Sequence, residues 1–205
     1  MTKQVRVRFA PSPTGPLHIG GVRTALFNYL FAKKNNGVFY IRIEDTDQNR
    51  FVPGAEQYIF EALKWLGIEP DETIGKNEKF GPYRQSDRKH LYKDYALQLV
   101  HDGFAYYAFD TAEELDTLRK EAEASGKTFI YNHGVRNELK TSLNMTHEEL
   151  EARLYNEDAY VIRYKMPVDE KLVLQDVIRG EVTFDTGLLD DKVLFKSDGM
   201  PTYHL

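Results

Sequence analysis

Residues Gln4–Gly21 read "QVRVRFAPSPTGPLHIGG", and this stretch decides the fold. Its first six residues alternate between polar and apolar side chains, a pattern that predicts a β-strand. Residues 11–21 contain three prolines and three glycines, which predicts a sharply bent turn that is ordered before any ligand binds. Apolar residues at helical spacing follow: Val22, Leu26, Tyr29 and Leu30. We therefore expect a strand, a tight turn that carries His18, and a helix.

The alternation of strand and helix then occurs a second time. The segment "VFYIRIED" (Val38–Asp45) predicts another strand, and Pro53 lies near the start of another helix. The apolar face of that helix is formed by Ile59, Leu63 and Leu66. A β-α-β-α order is typical of an α/β fold, in which helices pack across a parallel sheet. Ligands of such sheets bind at the carboxyl ends of the strands, so the turn after the first strand is the first candidate site.

The pattern changes after a short aromatic strand in "GFAYYAF" (Gly103–Phe109), which we interpret as a core strand rather than a base-stacking surface. We also expect Trp65 in the core. Capping boxes open two helices, at Thr111 and Thr146, and patterns typical of antiparallel strands follow. We predict the first half of an α/β domain at 1–108, a smaller α+β insertion at 109–191 and a return strand at 192–205. The ending "GMPTYHL" predicts a fragment of a longer chain.

Composition excludes several classes of function. The 205 residues contain no cysteine, which excludes a disulfide framework, a zinc site built on cysteines and a cysteine nucleophile, and is consistent with a cytoplasmic protein. No apolar run reaches about 18 residues, so we expect no membrane span. The sequence has no G-x-x-x-x-G-K-[ST] motif, and no G-x-G-x-x-G follows the first strand. P-loop and nicotinamide-dinucleotide enzymes are therefore disfavoured.

The first fifty residues combine positive charge with groups suited to an anion. They carry eight Lys and Arg against three Asp and Glu, although the whole chain has a net charge of −5. Gly20 and Gly21 lie at the start of the predicted helix, where free N–H groups favour phosphate. His18 can donate a hydrogen bond to a phosphate oxygen. Two interpretations stay open: an anion site, or an unevenly charged surface with a tight turn and a surface histidine.

A second cluster, "RIEDTD", closes the second strand. Strand alternation places Arg42 and Glu44 on one face. If they pair only with each other, the cluster is structural. If Glu44 instead points toward the first turn, it can hold an ammonium group while Arg8 holds a carboxylate, as recognition of an acidic amino acid requires. Asp45 and Asp47 offer a third possibility, a magnesium site.

Four blocks, taken together, carry a resemblance. "RFAPSPTGPLHIGGVRTALFNYLFA", "RIEDTD", "GPYRQSDR" and "KSDGMPTYHL" resemble, in this order, blocks of the class I aminoacyl-tRNA synthetases, and among them the glutamyl enzymes. The family signature His-Ile-Gly-His reads His18-Ile19-Gly20-Gly21 here, so the second histidine is absent. The resemblance implies a Rossmann-like catalytic domain with a connective-peptide insertion, at 109–191, that holds the tRNA acceptor stem.

The resemblance also implies an activity and its site. The activity is ATP-dependent attachment of L-glutamate to tRNA(Glu) through a glutamyl-adenylate, with Mg²⁺ accompanying ATP, no zinc, and a monomeric protein. The glutamate pocket is implied to contain five residues: Arg8, Ala10, Ser12, Glu44 and Tyr203. ATP is implied to bind four residues, of which the histidine is also catalytic: Thr14, His18, Gly20 and Gly21. Arg50 is implied to lie toward the tRNA. The Lys-Met-Ser-Lys-Ser loop of the family lies beyond residue 205, so we expect these residues alone not to aminoacylate tRNA.

Three alternatives remain at this point. An enzyme that attaches glutamate to queuosine in a tRNA resembles the first 60 residues, although it usually carries cysteines in the insertion. A glutaminyl-tRNA synthetase is the second alternative, and a non-catalytic module that binds the acceptor stem is the third. Salt-dependent tRNA binding without ATP binding would favour the module.

Overall fold

The computed structural model describes residues 4–47, 50–176 and 178–205. The chain divides into two compact units, Met1–His90 and Leu91–Leu205. These two units differ from the predicted ranges 1–108, 109–191 and 192–205. Those ranges assign parts of the chain to the domains of a family, and that assignment stays a prediction. Among the described residues, no helix has the length and apolar character needed to cross a bilayer.

The first unit confirms the predicted β-α-β-α order. Strand β1 (Arg6–Phe9) is followed by helix α1 (Ile19–Lys34), strand β2 (Val38–Ile41) and helix α2 (Ala55–Trp65). The two strands are parallel, with Arg6 opposite Val38 and Phe9 opposite Ile41. We therefore expect ligands to bind this unit at the carboxyl end of β1, where the turn begins.

Small residues bring α1 close to the sheet. Ala25 and Ala32 are fully buried there, whereas Leu26 and Leu30 are 40% and 54% exposed. The predicted helix is confirmed. Its buried face is formed by alanines and not by the two leucines, because small side chains allow a helix to approach a sheet closely. The expectation that Trp65 lies in the core is wrong, since its side chain is 85% exposed.

The core of the first unit lies between the two strands and the two helices. Its fully buried side chains come from β2, from the residues just after it and from α2: Phe39, Ile41, Ile43, Ile59 and Leu63. This packing fixes the position of β2 relative to β1 and therefore the position of the turn that follows β1.

The second unit holds most of helix α3 (Lys89–His101) and the remaining elements. They are strand β3 (Ala105–Ala108), helix α4 (Ala112–Ala124), helix α5 (His147–Tyr155), strand β4 (Val161–Tyr164), strand β5 (Lys171–Asp176), strand β6 (Gly180–Asp185) and strand β7 (Val193–Phe195). The order β3-β4-β7 forms an antiparallel sheet, and β5 and β6 form a separate hairpin. Both predicted capping boxes are present, at Thr111 with Glu114 and at Thr146 with Glu149.

The aromatic strand β3 is part of the core of the second unit, as predicted. Tyr106 is buried, and its hydroxyl donates to Asp191 at 2.6 Å. The same carboxylate accepts a hydrogen bond from Arg136 at 3.1 Å and one from the backbone N–H of Met166 at 3.0 Å. Because the buried carboxylate has several donors, its burial is compensated. Tyr106 is therefore committed to a structural role.

An ion pair ties β1 of the first unit to a distant loop. The guanidinium of Arg6 donates to both oxygens of Glu72, at 2.8 and 2.6 Å, and the Tyr83 hydroxyl donates to the same carboxylate. The bonds from Arg6 hold the pKa of Glu72 below its usual range. Burial, followed by the bond to Glu72, raises the pKa of Tyr83 to about 12.

We expect Glu72→Gln to lower the stability of the protein at pH 7 by about 2 kcal/mol, because Arg6 and the buried Tyr83 lose their charged partner in a partly buried place. A carboxyl whose pKa is lowered by folding stabilises the fold above its unfolded pKa and loses that contribution as pH falls through the folded pKa. Urea unfolding of both proteins should therefore show a gap that narrows below about pH 4. A gap that is constant from pH 7 to pH 3 would contradict this account.

Candidate active site

The turn after β1 forms a cavity of about 450 Å³. Its wall combines rigid prolines, glycine and a few polar side chains, and all of it belongs to the first unit: Phe9, Pro11, Ser12, Thr14, Gly15, Pro16, Leu17, His18, Gly21 and Ile59. A concave site of this size at the carboxyl end of a parallel strand is suited to a small-molecule substrate.

His18 caps the helix that leaves this cavity. It is the N-cap residue of α1, and its Nδ1 accepts the backbone N–H of Gly20 at 3.1 Å. A neutral ring that accepts at Nδ1 carries its proton on Nε2. A Cβ at position 20 would lie 2.9 Å from the ring carbon Cε1, so glycine leaves room for the ring. The cap therefore fixes both the orientation and the tautomer of His18, with Nε2–H as the free donor.

Gly21 stands where the family signature has its second histidine. A Cβ there would lie 2.7 Å from Cδ1 of Leu17 and 3.7 Å from the ring of Phe9. Leu17 lines the cavity in this chain. The glycine and the leucine are thus sterically matched, and a larger residue at 21 would require Leu17 to move.

The two arginines of β1 have different partners. Both lie on one face of the strand, but Arg6 is bound to Glu72 by two hydrogen bonds. Arg8 has 36% of its side chain exposed, and its Nη1 lies 3.6 Å from Oε1 of Glu44. That distance is longer than a hydrogen bond, and no described residue accepts one from the Arg8 guanidinium. Arg8 is therefore the arginine of β1 that can take a carboxylate with its full set of donors.

Glu44 lies beside the turn and is held from one side. Its backbone N–H donates to the carbonyl of Pro11 at 2.9 Å, which links the end of the β2 segment to the cavity wall. Its Oε1 accepts from Nε and Nη2 of Arg42, at 2.9 and 2.7 Å. The side chain is 12% exposed. Glu44 therefore pairs with Arg42 and also faces Arg8, so its contacts are not confined to Arg42, and its role in binding an ammonium group stays a prediction.

The other acids of this segment have local partners. Asp45 accepts the backbone N–H of Ser86 at 2.8 Å and its hydroxyl at 2.5 Å. Asp47 accepts Nε of Arg50 at 2.6 Å, and Arg50 is 73% exposed. Within residues 4–47, 50–176 and 178–205, no group of three or more His, Cys, Asp or Glu side chains could hold a metal ion.

The first unit brings most of the predicted residues to one end of β1. Ser12, Thr14, His18 and Gly21 line the cavity, and Ala10 lies between β1 and the turn. Tyr203 belongs to the second unit and is 84% exposed, so its predicted place in a glutamate pocket stays a prediction. Reasoning from the sequence missed the contact between Ser86 and Asp45, for which the block "GPYRQSDR" was the only signal.

The sequence of this chain matches a known protein family over nearly its whole length. A sequence model described as "tRNA synthetases class I (E and Q), catalytic domain" matches residues 4–205. The chain belongs to this family. Synthetases of this class use ATP, and the fold described above is the α/β fold of the class I catalytic domain. The parallel pair β1 and β2 is the part of that fold which carries the candidate site.

Relatives in this synthetase family are similar over the whole chain. A glutamate–tRNA ligase of Flavobacterium psychrophilum is 75% identical over 205 residues, which cover 100% of this chain and 41% of the relative. One of Christiangramia forsetii is 65% identical with the same coverage. A crystal structure of a glutamate tRNA ligase from Elizabethkingia meningosepticum, in complex with its amino acid, has a TM-score of 0.95 and 55% identity, covering 98% of this chain and 40% of that one. The chain spans about two fifths of the length of these relatives.

Proposed function

We propose that this chain supplies the glutamate and ATP sites of a glutamate–tRNA ligase. The observation that carries the proposal is the arrangement of Arg8 and Glu44 beside the turn. Arg8 offers an unbonded guanidinium for the side-chain carboxylate of the substrate, and Glu44 offers a carboxylate for its ammonium group. The names of the relatives support the same substrate.

The reaction we propose has two steps. An α-carboxylate oxygen of glutamate bonds to the α-phosphorus of ATP, the bond from that phosphorus to the bridging oxygen breaks, and pyrophosphate leaves. The 2′-hydroxyl of the terminal adenosine of tRNA(Glu) then attacks the acyl carbon and loses its proton, and AMP leaves. The chain needs no nucleophile for this chemistry, because positioning and stabilisation of charge suffice.

The site residues divide between the two substrates in this proposal. Nε2–H of His18 donates to a phosphate oxygen that gains charge in the transition state, and the N–H groups at the start of α1, near Gly20 and Gly21, favour the same anion. Thr14 lines the same cavity. Mg²⁺ enters with the triphosphate as part of the substrate.

The remaining site residues complete the glutamate pocket and the tRNA contacts of the proposal. Ala10, Ser12 and Tyr203 shape the glutamate pocket. Arg50 lies toward the tRNA. Residues 109–191 form the connective peptide, and the protein acts as a cytoplasmic monomer.

The charge of the second unit argues against a non-catalytic module that binds tRNA. Leu91–Leu205 contain 13 Lys and Arg against 22 Asp and Glu, a net charge of −9. Binding without catalysis depends mainly on neutralising phosphates with basic side chains. A unit with this charge is poorly suited to that role, although it can contact an acceptor stem through shape and a few basic residues.

Pyrophosphate exchange tests the proposal in the protein that carries this chain. With ATP, labelled pyrophosphate and tRNA(Glu), exchange should depend on L-glutamate and fall by at least about a hundredfold when glutamine replaces it. Labelled glutamate should also be transferred to a tRNA(Glu) transcript that lacks modified bases. Exchange without transfer to that transcript would favour the queuosine-modifying alternative, and a preference for glutamine would favour the glutaminyl enzyme.

A further inference from the structure

The two oxygens of the Glu44 carboxylate differ in their hydrogen-bond partners. Its Oε1 accepts two hydrogen bonds from Arg42, at 2.9 and 2.7 Å, and Arg8 lies 3.6 Å from the same oxygen. Its Oε2 accepts no hydrogen bond from any residue in the described ranges 4–47, 50–176 and 178–205. One oxygen is therefore occupied by guanidinium groups, and the other stays available to a ligand.

The position of Arg42 is fixed by the backbone. Its N–H donates to the carbonyl of Phe9 at 3.1 Å, and the N–H of Glu44 donates to that of Pro11 at 2.9 Å. The segment after β2 thus continues to pair with the chain that leaves β1. This pairing places the Arg42 guanidinium, which is 21% exposed, beside Glu44 without help from a ligand.

We propose that Arg42 is a positioning residue of the glutamate site, an inference that rests on the proposed function. By occupying Oε1 of Glu44, it prevents Arg8 from closing a direct hydrogen-bonded ion pair with that carboxylate. Arg8 keeps its donors for the side-chain carboxylate of glutamate, and Glu44 presents Oε2 to the ammonium group. Arg42 is not itself required to touch the substrate.

Charge balance supports the same role. Arg8, Arg42 and Glu44 together carry a net charge of +1, and glutamate with two carboxylates and one ammonium group carries −1. The occupied site is then neutral overall. Without Arg42 the same assembly would carry −1 in a partly buried place, which disfavours binding of the acidic substrate.

Arg84 provides a matched control in the same unit. It donates to Glu56 through Nε and Nη2, at 3.1 and 2.7 Å, and its side chain is 33% exposed. Arg84 uses the same two donor nitrogens as Arg42 but bonds both oxygens of its carboxylate partner, and neither Arg84 nor Glu56 lines the cavity. Loss of Arg84 removes its ion pair with Glu56 and a second one with Asp87 at 3.5 Å, so it disturbs the charge of the first unit at least as much as loss of Arg42 does. Only Arg42 has the proposed link to glutamate.

The test compares Arg42→Met, Arg42→Lys and Arg84→Met by pyrophosphate exchange in the protein that carries this chain, with tRNA(Glu) present. We expect Arg42→Met to raise the KM for glutamate at least tenfold and to change the KM for ATP less than twofold. Arg42→Lys should recover part of the loss, and Arg84→Met should match the wild type. In a crystal structure of Arg42→Met, Arg8 should approach Glu44 from 3.6 Å to hydrogen-bond distance.

Either of two results would overturn the inference about Arg42 and leave the proposed function standing. One is an unchanged KM for glutamate in Arg42→Met. The other is an equal increase in the KM for glutamate and the KM for ATP that Arg84→Met reproduces. If Arg42→Met fails to fold, Arg42→Lys takes its place in the test. An unchanged KM for glutamate in Arg42→Lys, with Arg8 in its wild-type position in the crystal structure of that variant, would also overturn the inference. A wild-type protein without glutamate-dependent exchange would instead refute the proposed function, and the inference with it.

Discussion

Replacing Arg8 by glutamine should raise the KM for glutamate by about a hundredfold to a thousandfold. The guanidinium of Arg8 has no hydrogen-bond acceptor among the described residues, so in the proposed site its loss chiefly removes the interaction with the ligand. Truncating one partner of a desolvated, hydrogen-bonded charge pair costs about 2–5 kcal/mol, or about thirtyfold to four-thousandfold in affinity, and the expected increase lies in the middle of that range. Pyrophosphate exchange at varied glutamate measures the effect. The KM for ATP should stay within about threefold of the wild-type value, because the proposal places the phosphates at the turn and not at Arg8.

Arg6→Gln is the control for this prediction. Arg6 lies on the same face of β1, two residues away, but both of its hydrogen bonds go to Glu72. This variant should lose stability and keep its KM for glutamate, when it is assayed well below its melting temperature. The proposal for Arg8 fails if Arg8→Gln keeps a wild-type KM for glutamate, or if Arg6→Gln raises that KM equally.

The contrast between these arginines shows where sequence reasoning stops. Alternation in "QVRVRF" predicts the strand and places Arg6 and Arg8 on one face, because neighbouring residues alone determine that pattern. Which guanidinium is left for a ligand depends on Glu72, which lies 66 residues from Arg6 in the chain. No local pattern contains that information, so the sequence favoured Arg8 only through its place at the strand end and through the family resemblance.

The same division holds for the rest of the fold. The order of strand, turn and helix and both capping boxes were predictable, because residues close together in the sequence determine them. The buried face of α1 was not, because Ala25 and Ala32 owe their burial to how closely the helix approaches the sheet. Trp65 is exposed at 85% although its apolar neighbour Leu63 is fully buried; the two residues point to different faces of α2.

His18 should prove to have two separable functions, which two substitutions can distinguish. Its Nδ1 caps α1 by accepting the Gly20 N–H, and its Nε2–H is the donor proposed for the phosphate. The side-chain oxygen of asparagine, attached to Cγ as Nδ1 is, preserves a cap. The amide nitrogen of glutamine reaches approximately to the place of Nε2 and preserves a donor. We therefore expect His18→Asn to retain stability and lose activity, and His18→Gln to do the reverse.

The magnitudes make this test decisive. Loss of one donor to a developing charge lowers kcat by about 10²- to 10³-fold, so His18→Asn and His18→Ala should both fall in that range, with KM values close to those of the wild type. Loss of an N-cap costs about 1 kcal/mol, which urea unfolding should detect in His18→Ala and not in His18→Asn. His18→Gln should keep kcat within about tenfold of the wild type. A wild-type kcat in His18→Asn together with a loss of kcat in His18→Gln would show that the cap, and not the Nε2 donor, supports the reaction, because His18→Asn keeps the cap and lacks the donor.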